Sequence, residues 1–500
     1  MRPELLLLLL STPAFATVSF TPIEVPEHRY TGGWQYFVGG GIASFDCNND
    51  DLPELYATGG ANPAILLHNK STLAGKLHFS NETPDTLSLT GITGAYPIDI
   101  DSDGNVDLLL LSTGKNHLLK GLGDCQFEPF KTLSLGDQSK WSTAFSATWQ
   151  PKQNLPTLAI GNYVDRDDPN GPFGACDSNS LYRPVDMAYP EPQELSPGYC
   201  ALSMLFSDWS RSSKPDLRIS NDRHYYVTGG AEQLWHFAEQ PRLYTEAEGW
   251  LTHELWGMGI ASRDVTGDGK PDVYLSSMGD QRLQVQSSKN TPTFTDAPYA
   301  WGTTAHRPHT GDDGRPSTGW HTAFGDVNND GLDDIFVAKG NVEQMPDSAM
   351  LDPNSLLLAT ASQRWEEISV SAGVASLHRS RGAALVDLNQ DGLLDLAVNN
   401  RRNLLQVWQN TSNSSGHWLT VELQQRGSNR QAVGAWIEVK ALATQTREIT
   451  IGGGHAGGNL GPEHFGLGEA KKASVRVIWP DGEISAWRHY NVDTNIVIQR

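Results

Sequence analysis

Short runs of small and apolar residues alternate along this chain with loops rich in Asp, Asn and Gly, and the alternation returns every ~50–60 residues. Five loops share one grammar: Asp46-Cys-Asn48-Asn-Asp50-Asp-Leu-Pro-Glu54, Asp99-Ile-Asp101-Ser-Asp103-Gly-Asn-Val-Asp107, Asp264-Val-Thr266-Gly-Asp268-Gly-Lys-Pro-Asp272, Asp326-Val-Asn328-Asn-Asp330-Gly-Leu-Asp-Asp334 and Asp387-Leu-Asn389-Gln-Asp391-Gly-Leu-Leu-Asp395. An apolar run follows each, such as Leu108 to Leu111 or Ile335 to Ala338. The gap between the second and third of these loops has room for two degenerate copies. Asp208-Trp-Ser210-Arg-Ser212-Ser-Lys-Pro-Asp216 keeps its end carboxylates, whereas Trp149-Gln-Pro151-Lys-Gln153-Asn-Leu-Pro-Thr157 keeps none. Seven units, each long enough for four short strands, predict an all-β, seven-bladed β-propeller. Long 3.6-period stretches are absent, which excludes helical solenoids.

The residues before the loops point the same way. Gly41-Ile-Ala-Ser, Gly94-Ala-Tyr, Gly259-Ile-Ala-Ser and Gly382-Ala-Ala are small enough for the innermost strand, where sheets converge on an axis. The pattern then changes after a Ser/Asn-rich stretch. We divide the chain into a signal peptide (1–16), a propeller (17–410), a linker (411–416) and a small C-terminal β-domain (417–500) packed against the last blade. In that tail, strands are expected at 418–423, 435–440, 447–451 and 474–479.

In the recurring loop, side-chain oxygens fall at positions 1, 3, 5 and 9, usually with Gly at position 6. Alternate residues of a tight loop point inward, so hard oxygens converge, an arrangement that suits Ca²⁺. The expected ligands are Asp46, Asn48, Asp50 and Glu54; Asp99, Asp101, Asp103 and Asp107; Asp264, Thr266, Asp268 and Asp272; Asp326, Asn328, Asp330 and Asp334; and Asp387, Asn389, Asp391 and Asp395. That gives about five calcium ions. The loops are not EF-hands, since no helix flanks them and no Glu stands at position 12. Zinc is disfavoured, since no loop offers His. The Asp208 loop, with Ser at its middle positions, is expected to bind weakly or not at all.

Charge agrees with this reading. The 500 residues carry 58 acidic and 37 basic side chains, a net charge of −21. That argues against a nucleic-acid backbone or an anionic membrane as partner. Met1-Arg2, Leu5 to Leu10 and Ala14-Phe-Ala16 read as a secretory signal. No later apolar run is long enough to span a bilayer. Four cysteines allow three disulfide connectivities. We favour Cys176 with Cys200, which flank one polar insertion, leaving Cys47 with Cys125; free buried thiols are the alternative. Sequons stand at Asn69, Asn81, Asn410 and Asn413.

The loop grammar resembles the FG-GAP/VCBS repeats of integrin α-chain propellers. The tail, with Gly434-Ala-Trp436, Gly452-Gly-Gly-His455-Ala-Gly-Gly, His464-Phe-Gly-Leu-Gly468 and Val477-Ile-Trp479-Pro-Asp-Gly482, resembles the ASPIC/UnbV domain. Together with Gly257-Met-Gly-Ile-Ala261 and Lys339-Gly-Asn-Val-Glu343, these resemble the secreted cartilage acidic protein family. The resemblance implies a calcium-binding propeller with a small β-domain, and no defined activity. By the same analogy the calcium loops share one face. The opposite face carries Arg223, His224, Asp280, Arg282, Glu343 and Arg401 as candidate ligand contacts, with insertions at 163–200 and 301–320 as walls or lids.

No catalytic residues are assigned. Gly452-x-Gly454-x-x-Gly457 matches a dinucleotide fingerprint, but Gly458, Gly461 and Pro462 cannot open the helix that fingerprint requires. It is read instead as a flexible connection in the tail, with His455 and His464 packing there. The functional expectation is a secreted, extracellular or periplasmic, monomeric recognition or adhesion protein whose partner is an extracellular protein or glycan. The alternative is an enzyme with its site in the channel mouth and structural calcium.

Overall fold

The computed structural model describes residues 17–223, 230–288, 290–311, 314–413 and 416–500. The expected signal peptide and His224 lie outside them. Within the described residues the fold is all-β and propeller-like. Consecutive antiparallel hairpins each continue into two further strands, and the resulting four-stranded units follow one another along the chain. The hairpins pair Ile42–Phe45 with Glu54–Ala57, Ile92–Ile98 with Asp107–Lys115, Ser139–Thr148 with Thr157–Asn162 and Ala201–Ser207 with Asp216–Asn221. Three more pair Gly257–Arg263 with Asp272–Ser277, Gly319–Gly325 with Asp334–Lys339 and Arg379–Val386 with Asp395–Arg401. Each first strand touches the next in cyclic order, and the last touches the first. The N-terminal strand Phe20–Ile23 closes the ring as the outer strand of the last sheet, with Phe20 opposite Asn410.

Small residues line the axis because nothing larger fits. A Cβ on Gly382 would sit 2.7 Å from the Gly41 Cα, and one on Gly41 only 1.6 Å from the carbonyl oxygen of Ala456. Apolar wedges fill the spaces between neighbouring sheets, for example Phe45, Tyr56, Leu108, Leu110 and Phe127. The favoured disulfides, Cys47–Cys125 and Cys176–Cys200, are both present. Two of the sequon asparagines are fastenings. Asn69 donates to the carbonyls of Pro53 and Leu388, and Asn410 to those of Val327 and Leu394, so each ties adjacent sheets together. Both are 2% exposed and closed to glycosylation.

The tail forms two sheets around a core that includes Leu419, Val421, Ile437, Val475, Val477 and Phe465. Its strands His417–Gln424, Trp436–Lys440 and Lys472–Ile478 match expectation, while the fourth runs Thr444–Glu448 rather than 447–451. Residues 449–458 leave the sheet and enter the axis of the ring. Single bridges join Ile451 to Ala147, Gly452 to Leu205, Gly454 to Ile260 and Gly457 to Ala95, and Asn459–Leu460 pairs with the first inner strand. The glycine-rich segment is therefore a buried axial plug and not a flexible connection. Its glycines are required by close backbone approach: a Cβ on Gly457 would lie 2.1 Å from the Ile42 carbonyl oxygen. The expected insertion 163–200 also contains two outer strands, Asn179–Tyr182 and Gln193–Leu195. No helix of the described residues is long and apolar enough to cross a membrane.

Candidate functional site

All seven recurring loops connect the first strand of a sheet to the second, and all close in one register. The residue before position 1 pairs with position 9: Phe45 with Glu54, Ile98 with Asp107, Thr148 with Thr157, Ser207 with Asp216, Arg263 with Asp272, Gly325 with Asp334 and Val386 with Asp395. In the five acidic loops the position-1 carboxylate accepts the N–H groups of positions 5 and 6. Asp99 accepts from Asp103 at 3.1 Å and Gly104 at 3.0 Å, and Asp326 from Asp330 at 3.1 Å and Gly331 at 2.7 Å. The buried position-9 carboxylate accepts from position 2 and from the third strand or the residue that follows it. Asp334 takes Val327 at 2.9 Å and Ala359 at 2.7 Å. Position 4 is left-handed as well as position 6: Asn49 and Asp51, Ser102 and Gly104, Gly267 and Gly269, Asn329 and Gly331, Gln390 and Gly392 all have positive φ. Double left-handed turns fold each loop back on its own carboxylates. The sequence had marked only position 6.

Three carboxylates gather most closely in the second loop, the one acidic loop among the described residues in which this is seen. There, carboxylate oxygens of Asp99, Asp101 and Asp107 lie within 4.8 Å of one another. Asp101 Oδ1 is buried and has no hydrogen-bond partner among the described residues. The Lys120 ammonium bonds both Asp101 and Asp103, so a positive charge already sits against this loop. Burial, and after it the neighbouring carboxylates, pushes Glu54 and Asp107 up to about 8, Asp272 and Asp387 to about 7, and Asp99 and Asp264 to about 6. The same causes raise Asp326, Asp334 and Asp395. Hard oxygen donors, an orphaned buried carboxylate oxygen and crowded charge suit a divalent hard cation. The fourth loop differs. Asp208 accepts from Ser212 and Ser213 as the other position-1 carboxylates do, but Asp216 is committed to the Trp209 indole and the Tyr244 hydroxyl, and Ser stands at positions 3 and 5.

The tail covers this face broadly rather than packing on the last sheet alone. Arg447 bonds Asp333 beside the sixth loop at 3.0 Å, and Arg211 of the fourth loop bonds Glu438 at 2.7 Å. Asn429 meets Ser102 of the second loop, and His464 Nε2 meets the Gly392 carbonyl of the seventh. Two of these contacts fall at position 4, Ser102 and Arg211, while Asp333 is position 8 and Gly392 position 6 of its loop.

The other ends of the hairpins build something unrepeated. Residues at the starts of first strands and just after second strands converge there on a cavity of about 450 Å³. Trp34, Phe37, Trp141, Tyr163, Phe173 and Trp320 give it aromatic walls, and Met258, Met278 and Met345 complete them. Trp34 and Tyr163 both meet the Trp141 ring edge-on, with centroids 4.9 Å away. Asp222 and Glu343 supply the carboxylates. Asp222 accepts from the Tyr163 hydroxyl at 2.7 Å. Glu343 holds Arg401 at 2.6 Å and Arg402 at 2.9 Å.

Of the candidate ligand contacts on this face, only Glu343 lines the cavity. Arg401 is fully buried, bonding the carbonyls of Gly32 and Tyr36 and covering the Phe37 ring. Asp280 and Arg282 belong to a separate ion-pair cluster with His306 and Asp296, and Arg223 bonds the Gly230 carbonyl and pairs with Glu254. The described polar residues singled out from sequence are held in ion pairs or carbonyl hydrogen bonds, and the aromatic walls were not singled out. Trp320 shares its repeat position with Met258 and Trp141 with Trp256, but the residue type at these positions varies from sheet to sheet, so the recurring loops give no sign of the site.

The axial plug reaches the same cavity. His455 packs on Trp320 with ring centroids 5.1 Å apart. Its Nδ1–H donates to the Met258 carbonyl at 3.2 Å and its Nε2 accepts the Gly39 N–H at 3.2 Å. Burial lowers its pKa to about 3 and that of the adjacent His321 to about 4, so both are neutral. With both ring nitrogens engaged, His455 is a fastening between the tail and the ring.

The family comparisons fit this architecture. Residues 425–500 match the model "ASPIC and UnbV", and residues 264–337 match the FG-GAP-like repeat. The protein is homologous to cartilage acidic protein 1. It is 24% identical to the mouse protein over 438 residues, covering 81% of this chain and 64% of that one. It is 25% identical to the human protein over 446 residues, covering 81% and 62%. The chain thus spans about three-fifths of the length of these curated relatives. Among solved structures, a complex of BBS1N with ARL6DN aligns at a TM-score of 0.45 and 9% identity, covering 78% of this chain and 98% of that one.

Proposed function

We propose that this chain is a secreted, calcium-binding recognition protein of the extracellular or periplasmic space. Its frame is a seven-bladed β-propeller over 17–410, joined through 411–416 to an ASPIC/UnbV-like β-domain over 417–500. The observation that carries the reading is the fivefold recurrence of one oxygen set in one hairpin register. Calcium would be held by positions 1, 3, 5 and 9 of the five acidic loops. There it would offset carboxylates that burial otherwise penalises. About five divalent ions would cancel roughly half of the net charge. The opposite face, free of the tail, is then the surface left to engage an extracellular partner, protein or glycan.

Chelation tests this directly. A ligand at a hundred times its dissociation constant stabilises by about 2.7 kcal/mol per site. Several sites together should move the melting temperature by about ten degrees or more between saturating calcium and excess chelator. An unchanged melt would remove the calcium assignment. Capture from the native extracellular milieu, with calcium and with chelator, tests the recognition role separately.

A further inference from the structure

The aromatic cavity opposite the acidic loops has the properties of a small-molecule site. Its deepest rings, Trp141 and Trp320, are 1% and 0% exposed, so it is a recess and not a flat patch. At about 450 Å³ it falls within the range of ligand pockets. The Trp320 indole N–H is satisfied by the Gly340 carbonyl at 2.7 Å, whereas the buried Trp141 N–H finds no acceptor among the described residues. Neither indole N–H is open to the recess, so the site offers an occupant ring surface and no indole donor.

The charges around the cavity narrow the class. Arg381 stacks on Trp320 at 3.9 Å from the ring centroid, and Arg401 on Phe37 at 4.9 Å. Guanidinium groups therefore already hold the Trp320 and Phe37 faces that a cationic ligand would use. An anion would meet Glu343 and Asp222. A sugar would bring many hydroxyls to a site whose carboxylates are already engaged, by Tyr163 on Asp222 and by Arg401 and Arg402 on Glu343. We infer that the cavity binds a neutral, largely apolar polycyclic small molecule, on the order of twenty to thirty non-hydrogen atoms. The assignment goes beyond the recognition reading above, which concerns a protein or glycan partner, and adds a small-molecule site on the same face.

Nile red, a neutral polycyclic dye, is the probe. Titrated into the full chain in calcium, it should show saturable one-to-one binding with a blue-shifted emission. Trp34→Ala should weaken binding tenfold or more with little change in melting temperature. If Trp34→Ala does not fold, Phe173→Ala, at a side chain 68% exposed, should give the same loss. Non-saturable binding, or binding indifferent to these variants, overturns the inference. So does displacement of the dye by tetramethylammonium, which would mark a cation cage, or by N-acetylglucosamine, which would mark a sugar site. The calcium-dependent melt and partner capture are unaffected by any of these outcomes, so failure here is distinguishable from failure of the recognition reading.

Discussion

The two ends of the same hairpins have been built by opposite rules. At the acidic end, one loop shape recurs with one register, one pair of left-handed residues and one hydrogen-bond pattern. At the aromatic end the positions recur but the side chains do not: Tyr163, Asp222 and Met278 share one repeat position and Met258 and Trp320 another, while Trp34 and Phe173 come from connections. Repetition serves stability, because each loop solves the same local problem of turning a chain around crowded carboxylates. A binding recess at the axis needs asymmetry, because different walls must face one ligand.

The plug joins the two ends and gives the largest expected effect. Gly457→Ala places a methyl 2.1 Å from the Ile42 carbonyl, where both partners are backbone and neither yields cheaply. It should cost about 3 kcal/mol, measured by denaturant unfolding, because overpacking against fixed backbone cannot relax into a new rotamer. Calcium bound per folded molecule should stay unchanged, since Gly457 touches none of the proposed ligands. A loss of calcium together with stability would mean that the plug, and not each loop alone, shapes the metal sites.

A pair of loop variants sharpens the acidic side. Asp334→Asn removes a fully buried position-9 carboxylate and should lower bound calcium by about one ion per molecule, read by equilibrium dialysis. Asp208→Asn, in the loop whose position-9 carboxylate is committed to side chains and whose positions 3 and 5 are Ser, should leave the count alone and cost only about 1 kcal/mol of capping. Equal losses from the two would erase the distinction between acidic and degenerate loops.

What could be read from sequence follows the same divide. Loop spacing located every inner hairpin, including the one with no carboxylate left, because position in a repeat survives loss of its chemistry. Gly41 and Gly382 announced the axis because only glycine fits there. The axial plug was misread, since Gly452 to Gly458 resemble a loose linker until the backbone they lie against is known. Arg401 and Arg223 looked like a ligand face because their charge is visible in sequence and their partners are not. The cavity stayed hidden for the complementary reason. An isolated tryptophan reads as core wherever it stands, and Trp34, Trp141 and Trp320 meet only through the ring closure.

The smallest expected effect concerns the one acidic loop that breaks the position-6 rule. Four of the five place Gly there, with φ between 80° and 96°, while Asp51 holds φ 66°. A left-handed backbone costs a branched or charged residue about 1 kcal/mol, though Asp tolerates it better than most. Asp51→Gly relieves that strain and removes a carboxylate from a crowded loop, while glycine loosens the unfolded chain. The net gain should be about 0.5 kcal/mol, a rise in melting temperature of a degree or less. The Asp51 carbonyl still accepts from Gln390, so the contact with the seventh loop is kept. If the variant instead binds calcium less tightly, Asp51 contributes an oxygen from position 6. The first loop would then hold its ion by a rule the other four do not share.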